Sequence, residues 1–362
     1  MSATQILLAV VLLITTGTAL LGFSSAGLLP TAQASAAVEL PVLGTMPPLD
    51  GAVSWLDAKP LTPAQLRGKV VVVNFWTYSC INSLRQLPYI RAWAEKYRDQ
   101  GLVVVGVHAP EFGFERDVGN VRQALRELGI DYPVAVDSEH RIWDAFGNQT
   151  WPALYFVDAK GRVRYRKFGE GDYAELEAVI RQLLSESGAR DLAREPTTVD
   201  ARGAEAQADW ADLRTPETYT GYARTERFRS PGGVRHDRRH RYALPDGQLG
   251  LNQWALAGAW AMGPEATALG EPGGRIVYRF HARDLHLVMG PTRPGRPVRF
   301  KVRIDGEPPG DAHGGDVDSQ GNGVVTEPRM YQLIRQSQPI VDRQFEIEFL
   351  DPGVETYSFT FG

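Results

Sequence analysis

A continuous apolar run from Val70 to Trp76 (VVVVNFW) limits the choice of folds more than any other part of the sequence. A run this rich in β-branched and aromatic residues predicts a strand buried on both faces, as in a sheet covered by helices. It ends shortly before the single cysteine of the chain, Cys80, and an amphipathic helical pattern from Ser83 to Tyr97 follows. The sequence therefore places Cys80 between a buried strand and a helix.

The rest of the first half alternates between β-rich and helical patterns. Further strands are predicted at residues 102–107, 133–136, 153–157 and 163–166, and further helices at residues 118–128 and 173–184. A turn from Asp158 to Gly161 joins the last two strands as a hairpin. This order predicts an α/β domain over residues 37–185.

The second half has a different pattern. Residues 186–209 are rich in Ala, Arg, Glu and Asp and are interpreted as a linker. Over residues 210–362 apolar and polar residues alternate, for example from Val298 to Ile304 and from Phe345 to Phe349, and Gly/Pro/Asp turns separate the segments. This pattern predicts an all-β, jelly-roll-like sandwich of about eight strands.

The first 36 residues contain an uncharged apolar run from Ile6 to Phe23, followed by small residues from Ala32 to Ala36. The small residues are typical of a signal-peptidase site, and the run is also close to the length that spans a bilayer. Residues 1–36 are therefore predicted to be a signal peptide or a membrane anchor. Either one predicts a periplasmic or other extracytoplasmic protein.

Composition excludes some functions. The formal net charge is −4, with 39 basic and 43 acidic residues, so no basic surface for nucleic acid is expected. His281, His286 and His313 lack the compact spacing of a zinc site. Asp316 to Gly321 with Glu327 nearly fits a calcium loop, but no helix flanks it, and we interpret it as a polar hairpin loop. No cofactor and no metal are predicted.

The position of Cys80 predicts its chemistry. A sulfur at the start of a helix faces free N–H groups and the positive end of the helix dipole, which favour the thiolate. The thiolate is the nucleophile of disulfide exchange. The alternative is an inert, buried cysteine. With one cysteine in the sequence, no disulfide can form within this chain.

Several motifs resemble thioredoxin-like proteins of the TlpA-like redoxin branch. They are Phe75-Trp76, Leu84-Arg-Gln-Leu-Pro88 and Trp151-Pro152. The resemblance extends to the C-terminal soluble region of DipZ-type proteins, which carry a thioredoxin-like domain and a β-rich, carbohydrate-binding-like module. It rests on the runs Trp76 to Asn82, His108 to Phe112, Gly169 to Gly171, Tyr278 to Leu287, Tyr331 to Gln336 and Phe359 to Gly362.

The resemblance implies roles for individual residues. Cys80 is the attacking thiol, and Pro152 is a cis proline that presents backbone to a bound substrate. Trp76, Tyr78 and Trp151 are expected to contact substrate. The implied partners are a protein or low-molecular-weight compound with a thiol or disulfide, and a membrane electron donor.

The chain departs from the family pattern at Ser83, where the family has its second cysteine. A serine hydroxyl cannot resolve a mixed disulfide, so three readings follow: a monothiol exchanger that uses an external thiol, an engineered trap, or a protein without redox activity. Ser83 is expected to hydrogen-bond the Cys80 thiolate and to lower its pKa. Asn74 stands where many thioredoxins bury an acid, and Glu111, after the second buried strand, is the substitute proton acceptor.

Two rival functions stay open. The spacing Thr77-x-x-Cys80 is also that of a peroxiredoxin site, although Val73 replaces the proline such sites carry. In the second rival, a redox-inactive adaptor, the β domain binds glycans through Trp254, Trp260 and Tyr242, although core packing is the simpler explanation for these aromatic residues.

Overall fold

The computed structural model describes residues 39–362, so the predicted leader of residues 1–36 lies outside the described residues. The first half contains short and long strands and five helices. They are β1 (Gly44–Thr45), β2 (Ser54–Leu56), α1 (Pro63–Leu66), β3 (Val70–Trp76), α2 (Ile81–Lys96), β4 (Leu102–His108), α3 (Val118–Glu127), β5 (Val134–Val136), α4 (Arg141–Ala145), β6 (Ala153–Val157), β7 (Arg162–Phe168) and α5 (Tyr173–Glu186).

The apolar run forms the central strand of a seven-stranded sheet with the order β1-β7-β6-β3-β4-β5-β2. Strand β3 is parallel to β4 and antiparallel to β6, and the predicted hairpin joins β6 to β7. Every residue of β3 is buried. Alternate side chains point to opposite faces, so Val70 and Val72 pack on one side of the sheet, while Val71 and Val73 pack on the other.

Helix α2 begins directly after the turn that follows β3. Cys80 is its N-cap residue, and the Cys80 carbonyl accepts the first helical hydrogen bond, from the N–H of Leu84 at 3.0 Å. Leu84, Leu87 and Ile90 pack the helix against the sheet. The buried strand and the buried face of α2 thus fix the position of the cysteine between them.

Apart from a 3₁₀ turn at Gly310–Ala312, the regular structure of the second half is β. Its strands are β8 (Thr218–Tyr219), β9 (Arg239–Tyr242), β10 (Trp254–Met262), β11 (Thr267–Leu269), β12 (Gly274–Phe280), β13 (Asp284–Pro291), β14 (Val298–Ile304), β15 (Asn322–Val325), β16 (Arg329–Arg335), β17 (Arg343–Phe349) and β18 (Val354–Phe361). They belong to one continuous sheet whose main path is β15-β14-β17-β12-β10-β11-β18-β13-β16.

This sheet folds back on itself at β10. Residues 254–257 of β10 pair with β12, whereas residues 258–262 pair with β9 and β11. The two halves face each other across a core in which Tyr278 of β12 lies 5.2 Å and Phe345 of β17 lies 6.1 Å from Phe359 of β18, measured between ring centroids. The fold class predicted from the sequence, a thioredoxin-like α/β domain followed by an all-β sandwich, is confirmed.

The segment between the two halves packs against the helices. Arg91 of α2 forms an ion pair with Glu205 at 2.6 Å, and Thr197 donates its backbone N–H to Glu177 of α5 at 2.6 Å. Residues 203–205 form a single 3₁₀ turn against α2. The segment interpreted as a linker is thus attached to the first half along its length.

Candidate active site

Cys80 lies where the sequence places it, between β3 and α2. It is half-buried. The turn before it is fixed by Glu115, which is fully buried and accepts hydrogen bonds from the hydroxyls of Thr77 and Ser79. The backbone N–H groups of Glu111 and Phe112 also donate to Glu115, at 2.6 and 3.0 Å. One carboxylate therefore ties the turn before the cysteine to the loop after β4.

Burial raises the pKa of Glu115 to about 7, although its four donors favour the ionised form. The ring of His108 lies beside this carboxylate network, with Nε2 3.3 Å from the Thr77 hydroxyl oxygen. Burial lowers the pKa of His108 to about 3, so the ring is neutral at physiological pH. The buried network of Glu115, Thr77 and His108 therefore contains no cationic imidazole.

The electrostatics of Cys80 differ from the expectation. Burial raises the pKa of the Cys80 thiol above its ordinary value, and the carboxylates of Glu111 and Glu217 raise it further. The backbone N–H and the hydroxyl of Ser83 hydrogen-bond the sulfur and lower the pKa, but their effect is smaller. The Cys80 pKa is therefore shifted in the direction opposite to the one expected from the helix terminus, because desolvation and two nearby carboxylates outweigh the donors of the helix.

Glu111 is positioned by the second half of the chain. Its Oε1 accepts hydrogen bonds from the Tyr219 hydroxyl at 2.8 Å and from Arg224 at 2.9 Å. The Arg224 guanidinium stacks on the Tyr219 ring, 3.5 Å from its centroid. The structure brings Glu111 into the electrostatic environment of Cys80, and its role as proton acceptor stays a prediction.

Glu217 is a site residue that the sequence did not indicate. It lines the same cleft as Cys80 and keeps part of its surface exposed there. Burial among protein atoms raises the pKa of Glu217, and the Glu111 carboxylate raises it further. Glu217 stands far from Cys80 in the sequence, and no local pattern marks it, so only the packing of the two halves reveals it.

Asn74 occupies the position at which an acid was expected in this fold. It is fully buried, and its Oδ1 accepts a hydrogen bond from Gln86 at 2.9 Å. This neutral pair carries no proton that Cys80 could exchange. The acidic groups that raise the Cys80 pKa are instead Glu111 and Glu217.

Pro152 and Trp151 lie at the start of β6. The Trp151–Pro152 peptide bond is cis, as the resemblance implied. Pro152 is buried, whereas Trp151 is half-buried and donates its indole N–H to the carbonyl of Ala109 at 2.9 Å. The predicted contacts of Pro152 and Trp151 with substrate stay predictions.

Trp76 and Tyr78, two of the residues expected to contact substrate, are buried. Trp76 is completely buried in the core, with its ring at right angles to His108. Tyr78 is 6% exposed and stacks on His108, with ring centroids 5.4 Å apart. Neither ring is available to a substrate in this structure, and both stabilise the loop that carries the cysteine.

Ser83 is buried one turn into α2. Its hydroxyl oxygen accepts a hydrogen bond from the backbone N–H of Thr77 at 3.4 Å, in addition to the bond with Cys80. The effect of Ser83 on the Cys80 pKa has the expected sign.

An open cleft of about 540 Å³ lies beside Cys80. Cys80, Asn82 and Arg85 line it from the start of α2, and Trp210, residues 213–217 and Arg227 line it from the second half. Thr360 and Phe361 of the last strand also line it. The thiol is thus reached through a space that both halves of the chain enclose.

The aromatic residues proposed for glycan binding lie in the sandwich core. Trp254 and Trp260 are 0% exposed and Tyr242 is 3% exposed. Core packing, the simpler explanation for these aromatic residues, is therefore confirmed, because no ring face is accessible.

The acidic loop has internal partners. Asp316 pairs with Arg329 at 2.7 Å, and Asp318 accepts backbone hydrogen bonds from Gln320 and Asn322. Within residues 39–362 no cluster of His, Cys, Asp or Glu has the arrangement of a metal site. Across that same part of the chain, no helix has the length and apolar character needed to cross a membrane.

Comparison with known proteins gives two family matches. Residues 48–166 match the AhpC/TSA family, and residues 215–362 match the thioredoxin-like C-terminal domain. Protein DipZ of Mycobacterium tuberculosis is 36% identical over 275 residues, which are 74% of this chain and 39% of that protein. The chain thus spans about two fifths of the length of the DipZ proteins it matches.

A shorter relative is matched over nearly its whole length. Thiol-disulfide oxidoreductase YkuV of Bacillus subtilis is 35% identical over 143 residues, which are 39% of this chain and 95% of that protein. Among solved structures, a thioredoxin-like protein in its oxidised form is 34% identical, with a TM-score of 0.37, and the match covers 40% of this chain and 96% of that one.

Proposed function

We propose that this chain, which belongs to the thioredoxin-like family of thiol-disulfide oxidoreductases, exchanges disulfides through a single nucleophile, Cys80, in a Cys-x-x-Ser site. The observation that carries the proposal is the placement of Cys80 at the N-cap of α2, half-buried at the edge of an open cleft. A thiol in that position can attack a disulfide presented in the cleft.

The proposed first step forms a mixed disulfide. The Cys80 sulfur attacks one sulfur of a substrate disulfide, the substrate S–S bond breaks, and the other sulfur leaves as a thiolate that takes up a proton. The Cys80 thiol must lose its own proton before the attack. Glu217 lines the cleft with a raised pKa and is the proposed acceptor, because Arg224 and Tyr219 already occupy Glu111.

The proposed second step requires an external thiol. In a dithiol site the second cysteine attacks the mixed disulfide, but Ser83 has no sulfur to form the bond. A free thiol from outside the chain attacks instead, releasing Cys80 and carrying the substrate sulfur away in a new disulfide. The reductant is proposed to be a low-molecular-weight thiol, with a membrane electron donor as the alternative.

The proposed location is outside the cytoplasm. The support is the apolar run from Ile6 to Phe23 with the small residues after it, either as a signal peptide or as an anchor. Fusion of residues 1–60 to a reporter that is active only after export tests this directly. Activity of the reporter is expected, and its absence would contradict the location without bearing on the chemistry.

Capture of partners tests the exchange. The purified full chain is incubated with envelope extract, and adducts are resolved on non-reducing gels. Adducts that vanish on reduction and are absent with Cys80→Ala are expected. If the two proteins give the same bands, Cys80 is not an exchange nucleophile, and an adaptor function is favoured.

The peroxidase alternative has less support from the geometry. Thr77 is fully buried, and its hydroxyl donates to Glu115 rather than facing the cleft. A peroxide in the cleft would therefore not meet that hydroxyl. Fast formation of a sulfenic acid at Cys80 on mixing with hydrogen peroxide would overturn this argument, and slow formation is expected.

A further inference from the structure

Two arginines line the cleft beside Cys80, together with Glu217, and have no close ion-pair partner in the described part of the chain. The side chain of Arg214 has no hydrogen-bond or ion-pair partner within residues 39–362. The ion-pair partner of Arg227 in that part of the chain is Glu226, at 3.9 Å, and 44% of the Arg227 side chain is exposed. At that distance and exposure the pair contributes little, so both guanidiniums are available to a ligand.

The third arginine of the cleft is already engaged. Arg85 donates to Glu170 at 3.1 Å and to the carbonyl of Phe361 at 2.9 Å. Its side chain is 1% exposed. Arg85 is thus a buried, paired arginine of the cleft, whereas Arg214 and Arg227 are exposed and have no close partner among residues 39–362.

Trp210 adds an apolar surface to the same cleft. It is 58% exposed, which is unusual for a tryptophan, and its ring lies 5.9 Å from the Arg85 guanidinium. An exposed indole that lines the same cleft as two unpaired cations suits a ligand with a short apolar chain and anionic ends. A cleft of about 540 Å³ has the size of small-molecule sites rather than of an interface for a folded protein.

We propose that this cleft binds the resolving thiol itself, a low-molecular-weight thiol that carries carboxylates, with Arg214 and Arg227 on the carboxylates and Trp210 against its chain. The inference rests on the proposed function, since it names the compound that replaces the missing second cysteine. Arginine suits this task because its planar fork binds carboxylates in two-point fashion.

The step that the cleft would promote is balanced. The bound thiol R–SH loses its proton and attacks the mixed disulfide between Cys80 and a substrate X, at the sulfur of X. The bond between Cys80 and X breaks, an R–S–S–X disulfide forms, and Cys80 leaves with the proton as a free thiol. The external thiol supplies one electron pair, and nothing else is consumed.

The test measures how fast carboxylated and neutral thiols react at Cys80. The purified full chain is treated with methyl methanethiosulfonate, which loads Cys80 with an uncharged methylthio group. Glutathione, which has two carboxylates, or its diethyl ester, which has none, is then added. The return of the free Cys80 thiol is followed by intact mass, and each rate is divided by that with a methylthio derivative of free cysteine.

Glutathione is expected to react about tenfold faster than the diethyl ester after this correction, the effect of one or two partly exposed charged contacts. In Arg214→Gln/Arg227→Gln the ratio is expected to fall to about 1. The matched control is Arg293→Gln, which removes an exposed arginine from a different cleft and should leave the ratio unchanged. Thermal melting checks that each variant is folded.

The outcomes separate this proposal from the proposed function. Equal corrected rates for the two thiols in the unaltered chain would overturn the carboxylate site and leave exchange at Cys80 intact. Failure of Cys80 to load, or of any thiol to release free Cys80, would overturn the proposed function. A cysteine-containing acidic peptide that reacts faster than glutathione, and loses this advantage in the double variant, would assign the cleft to a peptide and overturn the small-thiol proposal.

Discussion

Cys80 lies among groups that oppose its ionisation and groups that favour it. Burial, Glu111 and Glu217 raise its pKa, while the two hydrogen bonds from Ser83 lower it. Because the effects that raise the pKa are larger than those that lower it, the resting site holds a thiol rather than a thiolate. A thiol of raised pKa is also a poor leaving group, so a mixed disulfide formed at Cys80 should persist until another thiol arrives.

The raised pKa predicts a specific pH dependence. Below its pKa the thiolate fraction rises tenfold per pH unit, so alkylation of Cys80 should still accelerate between pH 9 and 10, where an ordinary thiol of pKa about 8.5 levels off. Glu217→Gln should remove one of the opposing charges and raise the alkylation rate above pH 8 by about three- to tenfold, since at that pH hydroxide in the solvent removes the thiol proton and the Glu217 carboxylate is already ionised. Iodoacetamide labelling followed by mass spectrometry measures both effects.

The control for this prediction is Glu307→Gln, an exposed acid in the turn after β14. It should leave the profile unchanged. A wild-type rate that levels off near pH 8, or a Glu217→Gln rate equal to that of the unaltered protein, would contradict the electrostatic description of the site.

At the level of residues, the sequence indicated part of this site. The nucleophile, its serine neighbour and the cis proline carry local motifs, so they could be named in advance. Trp76 was misassigned although it belongs to the same run that predicts a strand buried on both faces, and that burial should have excluded it from substrate contact. Glu217, Arg214 and Arg227 could not be found, because their proximity to Cys80 depends on how two distant parts of the chain pack.

Among the elements, β10 determines the shape of the second half. The strand passes from one side of the sandwich to the other at Gly258, which has a φ of +101°. A Cβ atom there would lie 2.9 Å from the Cα of Gly274. Both the backbone conformation and the close approach of a neighbouring strand therefore require glycine at this position.

Gly258→Ala is expected to lower the free energy of unfolding by about 2 kcal/mol or more, from backbone strain and from the clash. Gly295→Ala is the matched control, since Gly295 also has a positive φ, of +72°, but no atom lies within 4 Å of its added Cβ. The control should cost about 1 kcal/mol, from backbone strain alone. Urea unfolding measures the two values, and equal losses would show that the close approach at β10 is unimportant.

The individual elements were largely predictable from sequence. Strands β3, β6 and β14 have the predicted bounds, because a short apolar or alternating run fixes both their type and their length. The passage of β10 between two sides of the sandwich was not predicted. Its sequence (WALAGAWAM) reads as one strand, and the bend depends on a glycine whose role appears only when β12 packs beside it.

Across the whole molecule, motifs from three distant segments meet at Arg85. The Leu84 to Pro88 motif supplies Arg85, the Gly169 to Gly171 motif supplies Glu170, and the C-terminal strand supplies the carbonyl of Phe361. The side chains of Arg85 and Glu170 are 1% and 5% exposed. The first turn of the cysteine helix is thereby attached to the last strand of the sandwich, so the two halves are expected to unfold together.

Arg85→Ala should therefore be costly. It leaves the Glu170 carboxylate buried without its partner, which typically lowers stability by about 3 to 5 kcal/mol. Arg98→Ala breaks a pair whose side chains are 62% and 70% exposed, and it should cost less than about 1 kcal/mol. Calorimetry should show one transition for the unaltered protein, displaced downward in Arg85→Ala. Two separate transitions, or equal effects of the two variants, would contradict the coupling of the halves.

The most direct test of monothiol exchange is the lifetime of a mixed disulfide at Cys80. The purified full chain is loaded with oxidised glutathione, excess reagent is removed, and the intact mass is followed over hours. We predict that the adduct persists without added thiol and is reduced after thiol is added, at a rate proportional to the thiol concentration. In Ser83→Cys the adduct should be lost without any added thiol, because an intramolecular thiol acts at an effective concentration of about millimolar or more. Unaided clearance in the unaltered protein, or failure of Cys80 to form the adduct, would contradict the account.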